Sequence, residues 1–596
     1  MSSVFDEFKF DPQALRKRYD EERDKRLKLR PEGEAQFRKM KGVFEHYLED
    51  PYTPRKDRPA RKQDVEVVIV GGGFGGLLAA ARLREQGIDD FLILERGGDF
   101  GGTWYWNRYP GAACDVESYV YLPLLEETGA IPSAKYVQAP EIVEHVANIA
   151  RRYELYPRLL EHTVVQEGRW DETALRWIIS TDRGDELRAR FFILASGHYR
   201  EPRLPGIPGI ETFKPHSFHT SRWDYDYTGG DSYGGLTKLQ DKAVGIIGTG
   251  ATAIQCVPHL GQWAKRLYVF QRTPSSVEFR GNHPTDVEWY KSQPPGWQRA
   301  RMVNFQQAYA GMAEVDLVND GWTRVIHRNM RRCPPDLTPQ QRGEYMRMTN
   351  YELMEEVRAR VDELVEDPKT AEALKPWYDW LCKRPCFHDE YLQTFNRPNV
   401  TLVDTEGRGV ERLTEDGVVA GGQEFKVDCL IYASGFEVAP YEAGTAIPLY
   451  GRGGQTLAEK WKDGATTLHG VHVHGFPNFM SVGTRQSSWA NNFPHTLEAL
   501  GGHVAYIVRY ARDHGLDAIE VTAQAEADWV ALHEKKSARL MQQWRDCTPS
   551  YFNQEGNPEA RIARDGSYGG SVMEFTGALA AWRERDDLAG MKLTRR

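Results

Sequence analysis

The chain has 596 residues, 40% hydrophobic and 27% charged, which is enough apolar content to bury several cores and argues against disorder. A net charge of −9 and a pI near 6.1 give no general basic field, so nucleic acid is excluded as the expected partner and a small molecule is favoured. Seven cysteines, at positions 114, 256, 333, 382, 386, 429 and 547, with no secretory leader ahead of them, predict a reduced, cytoplasmic protein without disulfides.

Residues 1–60 read as a charged helical extension lying over the main fold, since acids and bases alternate through Arg16-Lys17-Arg18-Tyr19-Asp20-Glu21-Glu22-Arg23, a mixture that transit peptides avoid. The longest uncharged apolar run, Val67 to Ala81, holds five glycines and is too short to span a bilayer. It is instead a strand, turn and helix: Asp64 to Val70 is rich in β-branched residues, Gly71-Gly72-Gly73-Phe74-Gly75-Gly76 is a GxGxxG turn, and Leu77 to Gln86 is helical. Gly71 permits the turn, Gly73 lets backbone approach a pyrophosphate, and Gly76 lets helix and strand pack closely. The next strand, Phe91 to Leu94, ends at Glu95, where a carboxylate can accept ribose hydroxyls.

A second such unit follows. Ala243 to Ile247 leads into the GxGxxA turn Gly248-Thr249-Gly250-Ala251-Thr252-Ala253 and a helix carrying Ile254, Gln255, Val257 and Leu260. After the strand Leu267 to Phe270 the ribose position holds Gln271-Arg272-Thr273 instead of an acid, and a guanidinium there pairs with a 2′-phosphate. NADPH is therefore expected at the second site, with FAD as the resident cofactor at the first. Two further runs, Phe191 to Gly197 and Cys429 to Gly435, both end in Ala-Ser-Gly, which lets backbone approach a cofactor. Between about 286 and 375 helix formers dominate and read as an insertion in the second domain; Trp289, Trp297, Phe305, Tyr309 and Trp322 could line a pocket or simply pack its core. Cys382 and Cys386 are spaced C-x3-C, which indicates neither zinc nor dithiol chemistry.

The string Gly101-Gly102-Thr103-Trp104-Tyr105-Trp106-Asn107-Arg108-Tyr109-Pro110-Gly111, continuing to Asp115, resembles a fingerprint of the class B flavoprotein monooxygenases, and within them of the Baeyer–Villiger monooxygenases. Phe213, His219, Trp223 and Asp224 resemble the family's linker motif, with Pro215 where it has glycine. Lys383-Arg384-Pro385, followed by Phe395-Asn396-Arg397-Pro398-Asn399-Val400, resembles the segment carrying its catalytic arginine.

The resemblance implies an α/β fold of two doubly wound dinucleotide-binding domains with a helical insertion in the second. The expected boundaries are 61–225 with 396–545 for the FAD domain, 226–395 for the NADPH domain, and 546–596 for a segment closing the active site. It further implies conversion of a ketone to an ester or lactone with O2 and NADPH through a flavin C4a-peroxide. Arg384 would be the stabilising cation, Asp115 its orienting carboxylate, and His219 a hinge residue. Tyr121, Val165 and Phe493 would contact FAD alongside Gly71, Gly73, Phe74, Gly76, Glu95, Thr103 to Trp106 and Asp115. Thr249, Gly250, Ala251, Thr252, Ala253, Ile254, Gln255, Arg272, Thr273, Lys383 and Arg384 would contact NADPH. No metal is implied, and a monomer or small homo-oligomer is expected. The family often has a tryptophan where this chain has Gly566-Ser567-Tyr568-Gly569-Gly570. That stretch and the N-terminal extension resemble the subgroup acting on large-ring and steroid ketones. The rival readings are an N- or S-oxygenating flavin monooxygenase and a flavin redox sensor without turnover.

Overall fold

The computed structural model describes residues 5–30, 36–197, 199–438, 447–556 and 560–595. Strand Lys62–Val70 is the centre of the first sheet because its far half is buried on both faces, as a parallel strand between helical layers must be. It pairs in parallel with Phe91–Leu94 on one side and Glu186–Leu194 on the other. The order from edge to edge is Leu449-Tyr450, Val165–Asp171, Arg176–Thr181, Glu186–Leu194, Lys62–Val70, Phe91–Leu94, Leu159-Leu160, and Phe479–Ser481 also pairs with Glu186–Leu194. Helix Phe74–Glu85 is apolar nearly all round, since it lies between this sheet and helix Phe493–Asp513.

The second sheet is wholly parallel, in the order His216–His219, Cys429–Tyr432, Ala243–Ile247, Arg266–Gln271, Val400–Asp404. The division expected at 395/396 falls inside this sheet. Val400–Asp404 and Cys429–Tyr432 complete the second domain, and the described chain rejoins the first sheet only at Leu449-Tyr450. His216–His219, expected in the first domain, is likewise an edge strand of the second. The insertion is helical as expected, through Val287–Lys291, Trp297–Tyr309, Arg324–Arg332, Pro339–Leu364 and Pro368–Leu374.

The N-terminal extension is more than a solvated helix. Helix Pro12–Leu29 buries Leu15 and Tyr19 against Tyr351, and Tyr19 accepts a hydrogen bond from the buried Arg358 at 3.0 Å. Further on, Asp50 accepts from the Tyr105 hydroxyl at 2.5 Å and from the amide of Gly98 at 2.9 Å. The expectation of no disulfide is overturned: Cys382 and Cys547 are bonded, 165 residues apart in sequence. Their spacing to other cysteines carried no hint of this, because the partner lies in the C-terminal segment and only the closed chain brings it to Cys382.

Candidate active site

The first glycine turn is built so that only glycine fits. Gly71 has φ +112°, a Cβ there would meet the Ala195 carbonyl oxygen at 2.4 Å, and a Cβ on Gly76 would lie 1.9 Å from the Gly71 carbonyl oxygen. Ala195 opens the first Ala-Ser-Gly end, so that strand end is the wall on which the turn rests. Gly73 caps helix Phe74–Glu85 without any side chain satisfying the first amides, which leaves them for a pyrophosphate. The Glu95 carboxylate accepts the amides of Gly72 at 2.6 Å and Gly97 at 2.7 Å. Burial pushes its carboxyl up while these amides oppose the shift. The side-chain amide of Asn492, fully buried just before Phe493, has neither its donor nor its acceptor satisfied within the protein. A tight cradle, free helix amides and an orphaned amide together fit a dinucleotide such as FAD.

The fingerprint divides between two faces. Trp104 donates its indole N–H to the Tyr121 hydroxyl at 3.0 Å, and Phe74 meets the Tyr121 ring edge-on at 5.9 Å, so these three residues are brought together. Tyr105 and Trp106 are instead taken up by the N-terminal segment and the linker: Tyr105 bonds Asp50, and Trp106 lies 4.2 Å beneath the Arg222 guanidinium. Thr103 offers its carbonyl to Asn107 at 2.8 Å. Val165 sits in the core with Leu94 and Leu160. Phe493 opens its helix and stacks on Trp489 at 5.7 Å.

The second turn repeats the first. Gly248 has φ +114°, and a Cβ would meet the Ala433 carbonyl oxygen at 2.5 Å, so the second Ala-Ser-Gly end is again the wall. Gly250 caps helix Ala251–Trp263 with no side-chain bond, leaving the first-turn amides near Ala251 and Thr252 for phosphate; Ala253 and Ile254 are buried. Thr249 donates to the Thr273 carbonyl at 2.9 Å. Gln255 bonds the Ala113 carbonyl at 2.8 Å and the Tyr109 hydroxyl at 2.9 Å. Its amide thereby ties the second domain to the fingerprint loop. Arg272 points outward near Glu555, 3.5 Å away. Burial, then the charge of Arg272, pulls the Lys383 ammonium down to about 8.

Between the two turns lies the ion pair. Arg384 donates Nη1 to Asp115 Oδ2 and Nη2 to Asp115 Oδ1, both at 2.8 Å, a two-point geometry that only a guanidinium provides. Asp115 is buried, whereas about a third of the Arg384 side chain is exposed, so the cation faces open space while its partner does not. Burial pulls the Arg384 guanidinium down, but the charge and hydrogen bonds of Asp115 outweigh it and hold it above its usual value. Two residues complete the surroundings, one of the aromatics expected in the pocket or its core and one that the sequence did not point to. Trp322, from the insertion, donates its indole N–H to Asp115 Oδ1 at 3.3 Å, and its ring lies 5.5 Å from the guanidinium. Tyr551, from the C-terminal segment, is near enough to feel the Arg384 charge. The loop is anchored by the Cys382–Cys547 bond and by Ser550, whose hydroxyl donates to the Cys382 carbonyl at 2.8 Å.

The linker residues are held largely by bonds within their own segment. The fully buried His219 accepts the Ser221 amide at 3.1 Å, and burial lowers its ring to about 3, which leaves it neutral. Trp223 donates to the Thr228 hydroxyl at 3.1 Å, and Asp224 caps Tyr225–Thr228. Of the other aromatics proposed for the pocket, Phe305 is core, while Trp289 and Trp297 pack edge-on against each other at 6.2 Å. Tyr568 stacks on Trp529 at 5.5 Å, and a Cβ on Gly569 would meet the Lys536 backbone at 2.5 Å, so the Tyr-Gly-Gly stretch packs a helix.

Residues 68–283 match the family model described as "Pyridine nucleotide-disulphide oxidoreductase". The chain is 50% identical to neopentalenolactone D synthase of Streptomyces avermitilis, over 98% of this chain and 99% of that one. It is also 50% identical to the Baeyer–Villiger monooxygenase ATR8 of Stachybotrys chlorohalonatus, over 98% and 95%. Among solved structures it is similar to the polycyclic ketone monooxygenase of Thermothelomyces thermophila, at 41% identity, TM-score 0.90 and coverage of 98% and 99%. Identity of this extent along nearly the whole of each partner, on top of the paired glycine cradles and the Asp115–Arg384 pair, makes the chain a member of the Baeyer–Villiger monooxygenases, FAD- and NADPH-dependent enzymes that convert ketones to esters or lactones.

Proposed function

We propose that this enzyme oxygenates bulky, polycyclic ketones and that Arg384, oriented by Asp115, is the cation that stabilises the reaction. The observation that carries the proposal is the two-point Arg384–Asp115 pair, set where the fingerprint loop, the insertion and the C-terminal segment meet. Bound FAD, reduced by NADPH, supplies the activated oxygen. The protein's part is electrostatic. Negative charge grows on the attacking oxygen and then on the carbonyl oxygen, and a fixed guanidinium offsets both without reorganising. Arg384 keeps its proton throughout, so it lowers the energy of the anion without quenching it. Asp115 fixes the direction of the guanidinium, while Trp322 and the C-terminal segment around Tyr551 border it and leave its exposed side for the reacting groups.

The bulk of the substrate is supported by the relatives, whose names denote polycyclic ketone and pentalenolactone chemistry, and by an insertion that brings the Trp322 ring to the ion pair. In the same reading Gly71, Gly73, Phe74, Gly76, Glu95, Trp104, Tyr121 and Phe493 hold FAD, while the turn from Thr249 to Thr252, Arg272, Thr273 and Lys383 hold NADPH. Segment 546–596 closes the site. We place the enzyme in the cytoplasm on the ground that NADPH is regenerated there, since the Cys382–Cys547 bond removes the argument from reduced cysteines, and as a monomer or small homo-oligomer; no helix among the described residues is long and apolar enough to cross a membrane.

The test is Arg384→Ala assayed with cyclohexanone, a macrocyclic ketone and a steroid ketone. Loss of ester or lactone, with FAD still bound and NADPH still oxidised, is expected. Ester formation at the wild-type rate would remove Arg384 from the mechanism, and turnover of cyclohexanone alone would overturn the assignment of a bulky substrate.

A further inference from the structure

The N-terminal helix delivers a cation to the nucleotide site. Arg26, near the end of Pro12–Leu29, donates Nε to the Thr273 hydroxyl at 3.0 Å across 247 residues of sequence. Thr273 directly follows Arg272 at the end of strand Arg266–Gln271, the position that reads the adenosine ribose in this fold. The side chain of Arg26 is 13% exposed and is aimed by Glu22, one turn back, which accepts from its Nη1. Lys383 feels the charges of Arg272, Arg26 and Glu555 together. The carboxylate of Glu555 reaches Arg272 at only 3.5 Å and Arg203 at 3.8 Å, outside ordinary charged hydrogen-bond range. Arg26, Arg203, Arg272 and Lys383 thus form a cluster with more positive charge than Glu555, Glu437 and Glu22 return, and wider than one carboxylate can bridge. A phosphate, with two charges and three oxygens, suits it better.

We propose that Arg26 is a specificity-determining residue for the 2′-phosphate of NADPH, supplied by the N-terminal extension in addition to Arg272, Thr273 and Lys383. The inference rests on the reading that those three residues surround the 2′-phosphate. It gives the extension a function: the helix Pro12–Leu29 is docked on the insertion through Tyr19 and Arg358, so its far end is held at the nucleotide site. There Arg30 donates to the Glu555 carbonyl at 2.6 Å and draws the C-terminal turn to the same place.

The test is calorimetric titration of the FAD-loaded full chain with adenosine 2′,5′-bisphosphate and with 5′-AMP, for wild type, Arg26→Gln and Arg272→Gln. In Arg26→Gln the bisphosphate is expected to bind about tenfold more weakly, the loss of one charged hydrogen-bonding group, with 5′-AMP unchanged. Equal weakening of both ligands, or no change in either, while Arg272→Gln still loses its preference for the bisphosphate, would overturn the role of Arg26 alone. Undiminished preference in Arg272→Gln would overturn the site itself. If Arg26→Gln fails to retain FAD, Arg26→Lys keeps the charge and gives up the Thr273 bond; a loss of about threefold confined to the bisphosphate supports the proposal, and wild-type binding sinks it.

Discussion

Trp322 donates its indole N–H to the same oxygen of Asp115 that receives Nη2 of Arg384, at 3.3 Å and 2.8 Å respectively. A residue of the helical insertion thus fixes a carboxylate of the first domain that in turn fixes a guanidinium of the second.

Trp322→Phe keeps the ring and removes the donor. Losing one such bond, about 1 kcal/mol, loosens Asp115 and with it Arg384. We expect ester formation to fall about fivefold and the share of NADPH oxidised to H2O2 to rise, with the rate of flavin reduction unchanged. An unaltered ester-to-peroxide ratio would show that the packing of Trp322, not its N–H, is what matters.

Breaking the Cys382–Cys547 bridge frees the loop that carries Arg384 from the segment that carries Tyr551. Cys547→Ser is expected to lower stability by about 2–4 kcal/mol, the usual cost of losing a native disulfide across a long loop. A thermal melt read by flavin fluorescence, with wild type treated with dithiothreitol as a second sample, measures this. Equal melting of all three would mean that the bond holds nothing the fold does not already hold.

Lys383 is a cation below about pH 8 and neutral above it, because burial and Arg272 disfavour its charge. On the proposed contact of Lys383 with the 2′-phosphate, affinity for NADP+ is full below pH 8 and falls as pH rises through it. Between pH 7 and 9 the logarithm of the association constant should bend downward near 8, by up to about one unit per pH unit. In Lys383→Gln the profile should be flat and lower; a bend retained in that variant would assign it to another group.

Gly76→Ala puts a methyl 1.9 Å from the Gly71 carbonyl oxygen, a distance no rotamer relieves because both atoms belong to the turn. FAD should be lost, as a fall in absorbance at 450 nm relative to 280 nm. Gly250→Ala meets nothing within 4 Å and should keep its flavin, which makes it the control.

The sequence by itself determined the two glycine turns, the arginine that follows the second strand of the second unit and the segments bearing Asp115 and Arg384. Each is written in a few contiguous residues whose backbone needs, such as positive φ at Gly71 and Gly248, admit almost one solution. Only the tertiary structure decided which distant groups meet. Asp115 and Arg384 are 269 residues apart, Asp115 and Trp322 207, Arg26 and Thr273 247, and Cys382 and Cys547 165. The same holds for Val400–Asp404 and Cys429–Tyr432, whose apolar runs suit either sheet. Periodicity and turn chemistry report what a segment becomes; which sheet, helix or charge it lies against is set by closure of the whole chain, where burial and pairing are settled together.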